Sequence, residues 1–354
     1  MGKQIVLLIL LSFAVRNGKA QSIEYSYRIN TLHAVINSKF KDNQTGLYYE
    51  TNEGDKKHSY LWPLCALIQA TNEMEALTPK ARYMLPVENA INQYLNNAPP
   101  VPGYQATVTR ERADARFFDD NQWIAIAYLD AYNRTHEKKY LDKSEMICRF
   151  MLTGLDTVAG GGFYWKEGDR QTKNTCSNGP GVLVLLQLYK ITHKAEYLRT
   201  ALSVYQWTNA RLQALDGVYY DNIKLPSLKV GKAAYTYNTG TMLQANVLLY
   251  DITKDKKYLS EAQRVAKAGF EHFFKNGRLP NGNYWFNAVM LRGYVALYKV
   301  DKDEQWIDFF RKDADAVWDN ERDTDNMLGP KPAKKLLDQA AMLEIYATLQ
   351  KFKN

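Results

Sequence analysis

Four segments of the chain repeat one arrangement: YLDAYNRTHEKKYLDKS (128–144), LLQLYKITHKAEYLRTA (185–201), NVLLYDITKDKKYLSEA (246–262) and VALYKVDKDEQWIDFFR (295–311). In each, an apolar helical run ends, a short polar linker follows, and a second helix opens near an aromatic residue: Tyr140, Tyr197, Tyr258 or Trp306. A recurrence of roughly 50–60 residues marks stacked helix pairs. YLWPLCALIQAT (60–71) and LLDQAAMLEIYATLQKF (336–352) extend the pattern to both ends, Pro63 being tolerable in a first turn. The spacing predicts six inner helices near 60–71, 118–133, 179–191, 238–251, 286–299 and 335–351, and partners near 24–40, 78–97, 137–153, 194–212, 255–275 and 303–319. The inner set is apolar with small residues (Ala125, Gly181, Gly240, Ala288, Gly293, Ala340), while the partners are amphipathic. The expected fold is all-α, an (α/α)6 barrel with one helix ring inside another. An open superhelical array is the alternative. A chain that begins with an outer-type helix and ends with an inner one favours closure. No Pro/Ser-rich linker divides the chain, so residues 21–354 read as a single domain.

A second repeat lies in the connections from outer to inner helices. TGLYY (45–49), GGFYW (161–165), DGVYY (216–220) and GNYWF (282–286) each set glycine before an aromatic cluster, the pattern of a tight turn and short strand. All four precede inner helices, so these aromatic hairpins are expected to gather at one end of the barrel.

The segment FFDDNQWIAIAYLDAY (117–132) places Asp119 and Asp120 at that same end, at the start of an inner helix. Adjacent carboxylates repel, and burial beside aromatics raises the cost. Two carboxyls are also the minimal equipment for hydrolysing a glycosidic bond, one protonating the leaving oxygen and the other attacking carbon or activating water. A helix N-terminus favours an anion, and the charge kept by one member raises the pKa of the other, as an acid needs. Asp-Asp alone fits an ordinary solvated first turn; the aromatic rim and barrel tip the reading toward chemistry. Around the pair, Asn121, Trp62, Tyr164, Trp165, Asn174, Asn178, Tyr237, Asn238, Tyr284 and Trp285 are candidate sugar-binding residues, whereas His58 reads as incidental.

FFDDNQWIAIAYLDAY, GGFYWK followed by NTCSNGPGVLVLLQLY, and YTYNTGTMLQANVLLYDIT together resemble glycoside hydrolase family 76, the endo-α-1,6-mannanases, from about residue 24 to the C-terminus. The resemblance implies an (α/α)6 barrel, cleavage of α-1,6-mannosidic bonds in mannan by a retaining mechanism, Asp119 as nucleophile and Asp120 as acid/base. A transglycosylase on the same fold and a non-catalytic glycan-binding barrel are the alternatives. A uronic-acid hydrolase is disfavoured because no Arg/Lys cluster marks the rim blocks.

The remaining features bound the partners. Lys3, the apolar run Ile5–Val15 and Gly18-Lys19-Ala20 read as a signal peptide over residues 1–20, implying export to the periplasm or medium. Its loss lowers the formal charge from +8 to +5, and the scattered lysines argue against nucleic acid. The apolar run is too short to span a membrane. Cys65, Cys148 and Cys176 leave at least one thiol unpaired, and the first two are expected to be buried. With five histidines and no CxxC, no metal and no cofactor is expected. The expected partner is α-mannan or mannooligosaccharide, met by a monomer.

Overall fold

The computed structural model describes residues 24–53 and 57–352; the leader expected at 1–20 lies outside them. Twelve helices are present among the described residues. They are α1 (24–35, running into a π-helical turn Ile36–Phe40), α2 (Leu61–Leu77), α3 (Met84–Asn92), α4 (Phe118–Thr135), α5 (Lys138–Leu152), α6 (Thr175–Thr192), α7 (Ala195–Leu212), α8 (Thr236–Thr253), α9 (Lys256–Phe273), α10 (Tyr284–Asp301), α11 (Gln305–Asn320) and α12 (Leu336–Gln350). The even-numbered helices pack in a cycle, α2 on α4, α4 on α6, α6 on α8, α8 on α10, α10 on α12, and α12 back on α2. Outer helices α3, α5, α7, α9 and α11 each lie on the inner helix before them, and the π-turn of α1 lies on α12. The ring is therefore closed, as an (α/α)6 barrel requires, and the open array is excluded. Arg28 of α1 seals the seam. It bonds Asp315 of α11 at 2.6 Å and lies 5.3 Å from the ring centroids of Trp318 and Tyr346.

Inner helices are buried on nearly every side, which is why their sequences are apolar throughout. In α6, thirteen consecutive residues from Cys176 to Leu188 are buried. Small residues let the ring tighten. A Cβ added to Gly240 of α8 would lie 2.4 Å from Met290 Cα, and one added to Gly293 of α10 would lie 2.4 Å from the Gly240 carbonyl oxygen. Backbone meets backbone there, so no side chain can yield.

The repeated linker has a physical basis at the far end of the barrel. His136, His193, Lys254 and Lys302 each adopt the left-handed conformation (φ 57–60°) just after an inner helix. Their N–H groups bond the carbonyls of Tyr132, Tyr189, Tyr250 and Tyr298. Thr135, Thr192 and Thr253 return a hydroxyl to the carbonyl four residues back and accept the next linker N–H. This αL termination lets the chain reverse within a few residues.

Three sequence expectations shift. The outer helix placed at 78–97 is only nine residues long, because α2 runs on to Leu77 and Pro79 follows its C-cap. α6 starts at Thr175 rather than 179; Gly179-Pro180 reads as a break, but Pro180 is carried inside the helix. Of the four aromatic hairpins, three make the expected antiparallel bridges, at Lys41↔Tyr48, Leu155↔Phe163 and Gln213↔Tyr219. The fourth, 282–286, does not: the Asn283 side chain caps Trp285 N–H and the segment enters α10 directly. The bridge in that connection lies earlier, at Lys275↔Arg278. Beyond the two-residue strands β1 (Leu95–Asn96) and β2 (Gly103–Tyr104), a sheet of β3 (Thr172–Asn174), β4 (Tyr220–Lys224) and β5 (Lys229–Ala234) stands on the rim, with β4 in the middle. Sequence patterning gives no sign of its size.

Gly240→Ala should destabilise the barrel by about 1–3 kcal/mol or more, the cost of overpacking a filled interior. Gly282→Ala, whose added Cβ meets open space, should leave thermal unfolding nearly unchanged. Equal melting temperatures for the two variants would show that the α8–α10 approach is not a constraint.

Candidate active site

The inner helices start at the rim, and side chains of their first turns tie the rim down. Asn121 of α4 accepts from Tyr104 N–H at 2.7 Å and donates to the Tyr104 carbonyl at 2.8 Å. Asn178 of α6 does the same to Phe163 at 2.7 and 3.0 Å, and Gln339 of α12 to Leu328 at 2.8 and 2.7 Å. Each amide also donates to the carbonyl four residues back, at Phe117, Asn174 and Lys335. Thr239 of α8 and Asn287 of α10 make single ties, to Tyr219 and Pro280. A carboxamide at the fourth position of α4, α6 and α12 thus hangs the loop before each helix at a matched height.

The start of α4 is clamped further. Buried Arg116 bonds Glu167 through two 2.6 Å contacts and donates to the carbonyls of Ala98, Pro99 and Val101. Its own carbonyl accepts Glu167 N–H, and Phe118 N–H reaches the Trp165 carbonyl at 3.0 Å. The segment carrying Trp165 is thereby laid across the first turn that carries Asp119 and Asp120. The turn before it needs Gly162 at φ +83°, where a Cβ would strike the Trp207 ring at 2.6 Å.

Both aspartates open onto a cleft of about 830 Å3 at the mouth of the barrel. Trp62, Trp165, Trp285, Tyr235, Tyr237 and Phe286 supply aromatic walls, and Asn174, Asp221 and Asn222 a polar one. Trp285 packs edge-on against Trp62 (6.1 Å) and Trp123 (5.2 Å), while Tyr237 stacks on Phe286 at 3.9 Å. The Trp285 indole N–H and the Oδ1 atoms of Asn174 and Asn222 are buried without a partner in the protein, so the cleft offers one donor and two acceptors.

The two carboxyls differ in their surroundings. Asp119 accepts from Trp165 Nε1 at 3.0 Å and from Asp120 N–H at 3.0 Å. The Cys176 thiol is a further partner, itself bonded by the Tyr237 hydroxyl. Burial pushes Asp119 above the ordinary carboxylate range, and these donors pull it back. Asp120 has no such donors. Burial and the charge of Asp119 together push it well above that range. Asp119 is therefore the member that ionises first, and Asp120 the one that keeps its proton.

Of the candidates named from sequence, Asp119, Asp120, Trp62, Trp165, Asn174, Tyr237 and Trp285 meet in this cleft. Five others do not line it. Asn121 and Asn178 are fully buried and spend their amides on the rim ties. Tyr164 points away to bond Asp156, beneath Lys173. Asn238 is enclosed within the ring, and Tyr284 is buried with its hydroxyl on Glu321. His58 is bound by Glu111 and Asp42 outside the cleft. Sequence reasoning missed Asp221 and Asn222, which lie on β4, a strand whose sequence shows no apolar–polar alternation. It also missed Arg112 and Asp114, which lie in an irregular loop with no periodic signal. All three cysteines are buried and free. No His/Cys/Asp/Glu group among the described residues could hold a metal, and none of their helices is long and apolar enough to cross a membrane.

The raised carboxyls carry a stability prediction. An acid whose folded pKa exceeds its unfolded value stabilises the fold below the unfolded pKa, and that contribution fades as pH rises toward the folded value. Asp119→Asn and Asp120→Asn remove this penalty. Each should melt at or above the parent temperature at pH 7, with the difference closing near pH 4. A large fall in melting temperature for both at pH 7 would make the pair a structural element.

Comparison with known proteins agrees with this geometry. The family model for glycosyl hydrolase family 76 matches residues 28–349. A family 76 glycoside hydrolase (mannosidase) of Bacteroides thetaiotaomicron superposes with a TM-score of 0.84 at 25% identity, over 92% of this chain and 98% of that one. An α-1,6-mannanase of Salegentibacter sp., an inactive variant with two consecutive aspartates replaced by asparagine and α-1,6-mannotriose bound, shares the fold with a TM-score of 0.79. It is 22% identical, over 92% of this chain and 99% of that one. Among curated sequences, a mannan endo-1,6-alpha-mannosidase of Saccharomyces cerevisiae is 26% identical over 176 residues, 45% of this chain and 39% of that protein. The chain spans about a third to a half of the length of the curated relatives it matches. With the model covering the barrel from α1 to α12, the chain belongs to glycosyl hydrolase family 76.

Proposed function

We propose that this chain is an exported glycoside hydrolase, a single catalytic barrel that cleaves internal α-1,6-mannosidic bonds of mannan by double displacement. The observation that carries the reading is the unequal treatment of two adjacent carboxyls. Asp119 has donors from Trp165, Cys176 and the backbone, and Asp120 has none. In the first step Asp120 gives its proton to the glycosidic oxygen while an Asp119 oxygen bonds the anomeric carbon, breaking the C–O bond to the leaving sugar. In the second, Asp120 takes a proton from water, whose oxygen displaces Asp119 and restores both groups. The Trp285 N–H and the free Asn174 and Asn222 oxygens are suited to sugar hydroxyls, and the tryptophans to the C–H faces of the rings.

Two further observations support a polymer as substrate. The central cleft shares Tyr60 and Arg112 with a depression of about 640 Å3, and on the other side adjoins one of about 740 Å3 along 164–166 and 171–172. A groove with both ends open accepts the middle of a chain. The yeast relative is named for endo-1,6 cleavage of mannan and the Bacteroides structure as a mannosidase.

Incubation with linear α-1,6-mannan tests the reading. Shorter oligosaccharides should appear, and Asp120→Asn should lower kcat by about 10²–10⁴, the usual worth of a positioned general acid. Proton NMR of the new reducing ends, read before mutarotation, should show the α-anomer first. An initial β signal would overturn double displacement, and binding without cleavage would make the barrel a lectin.

The pH profile should follow the pair. Activity needs Asp119 ionised and Asp120 protonated, so both limbs lie above the ordinary carboxylate range. Trp165→Phe removes a donor to the Asp119 carboxylate and should move the acid limb up by roughly one pH unit, since one unit corresponds to about 1.4 kcal/mol of hydrogen bonding. An unmoved limb in a folded variant would detach Trp165 from Asp119.

A further inference from the structure

The rim sheet carries a pair of like charges that its own packing does not explain. Lys224 on β4 stands directly opposite Lys229 on β5, and both are exposed. Like charges face to face across an antiparallel pair are destabilising. Lysines on an outermost strand can serve to block edge-to-edge pairing, which accounts for Lys229. It does not account for Lys224, because β4 is the middle strand, bonded on both sides. No carboxylate of the described residues lies within ion-pairing distance of either ammonium, whereas the nearby basic residues Lys166, Arg170 and Lys173 each have an aspartate.

The face these lysines occupy is that of the cleft. Lys224 is opposite Thr172 on its other side, and two residues along the strand comes Asn222, opposite Asn174. Thr172, Asn174 and Asn222 all line the cleft, and Leu225 and Pro226, just beyond Lys224, line the adjoining depression. Side chains alternate along a strand, so Asn222 and Lys224 share a face. Ile223 turns the other way, into a small cluster with Trp207 and Leu212. The polar wall of the cleft thus becomes cationic at its outer end, where the two grooves meet.

We propose that Lys224 and Lys229 form a subsite for an oxyanion carried by the glycan, a phosphate ester or a carboxylate on a sugar near the one being cleaved. This rests on the reading of the cleft as a glycan-cleaving site. The two ammonium groups, uncompensated and side by side, bracket a single anion, which removes their mutual repulsion. The reacting pair keeps neutral sugars, since the Asp119 carboxylate repels anions there.

The test compares three α-1,6-mannan oligosaccharides, neutral, phosphorylated and carboxylated, with the parent and with Lys224→Gln/Lys229→Gln. Two exposed ion pairs are worth roughly a five-fold gain in kcat/KM for an anionic substrate at low salt. That gain should vanish in about 0.5 M salt, where screening is short-ranged, and in the double variant, whose activity on the neutral glycan should be unchanged. Whichever of the two anions gains more identifies the substituent. Equal rates on neutral and anionic glycans, or a preference that survives the double substitution, would overturn the proposal. Binding of the same oligosaccharides, read by tryptophan fluorescence, keeps it separate from the catalytic reading. Lysine-dependent preference in binding without hydrolysis would sink the hydrolase and keep the subsite. Hydrolysis without preference would do the reverse.

Discussion

Every helix begins with N–H groups that its own turns cannot satisfy, and a ring of six parallel inner helices brings all of those ends to one face. The rest of the rim follows from that constraint. Residues of the first turns do not simply cap their helices. They reach out and bind the preceding loop by its backbone, as Asn121, Asn178 and Gln339 do with paired hydrogen bonds. Loops that would otherwise move over the mouth are fixed to the most rigid part of the molecule. Catalytic geometry demands such support, because reacting groups misplaced by an ångström lose most of their effect.

At the acidic pair this satisfaction is left incomplete, as it is at the starts of α2, α6, α8 and α12, none of which has a side-chain cap. Phe117 offers α4 no capping side chain, and the positive end of the helix is met by Asp119 and Asp120 instead. Arg116 holds this turn from below through Glu167 and three loop carbonyls, so the carboxyls cannot relax apart by moving the backbone. Their difference then comes from the neighbours that arrive from elsewhere, Trp165 from the connection between α5 and α6 and Cys176 from α6. A dyad of identical residues is made unequal by the fold, not by its own sequence.

What was legible in the sequence was what repeats. The helix pairs, the ring order and the location of Asp119 and Asp120 are periodic or local, and Trp62 and Trp285 are each the second residue of an inner helix. Asn121 and Asn178 misled because polarity at a rim position reads equally as ligand binding or as a tie to backbone, and only the structure shows where an amide is spent. Tyr164 and Tyr284 neighbour cleft tryptophans in sequence, but adjacent side chains diverge by about 100° on a helix and to opposite faces on a strand. Asp221, Asn222, Lys224 and Lys229 belong to a sheet formed across two different connections, and such non-local pairing leaves no periodic trace.

The left-handed residues that end α4, α6, α8 and α10 make the barrel unequal in a different sense. Outer and inner helices there are joined by two or three residues, whereas the connections on the opposite face run to ten or more. Adding one residue to a short linker would turn the following helix by about 100° and swing its apolar stripe toward water. At those four junctions length is locked by the pitch of the helix. Across the mouth no such lock exists, and loops there can lengthen, shorten or sprout a sheet without disturbing the ring. The architecture thus separates a chassis with tightly set junctions from an instrument face free to change. New glycan specificities can be explored by insertion at the mouth while the six-helix ring stays the same.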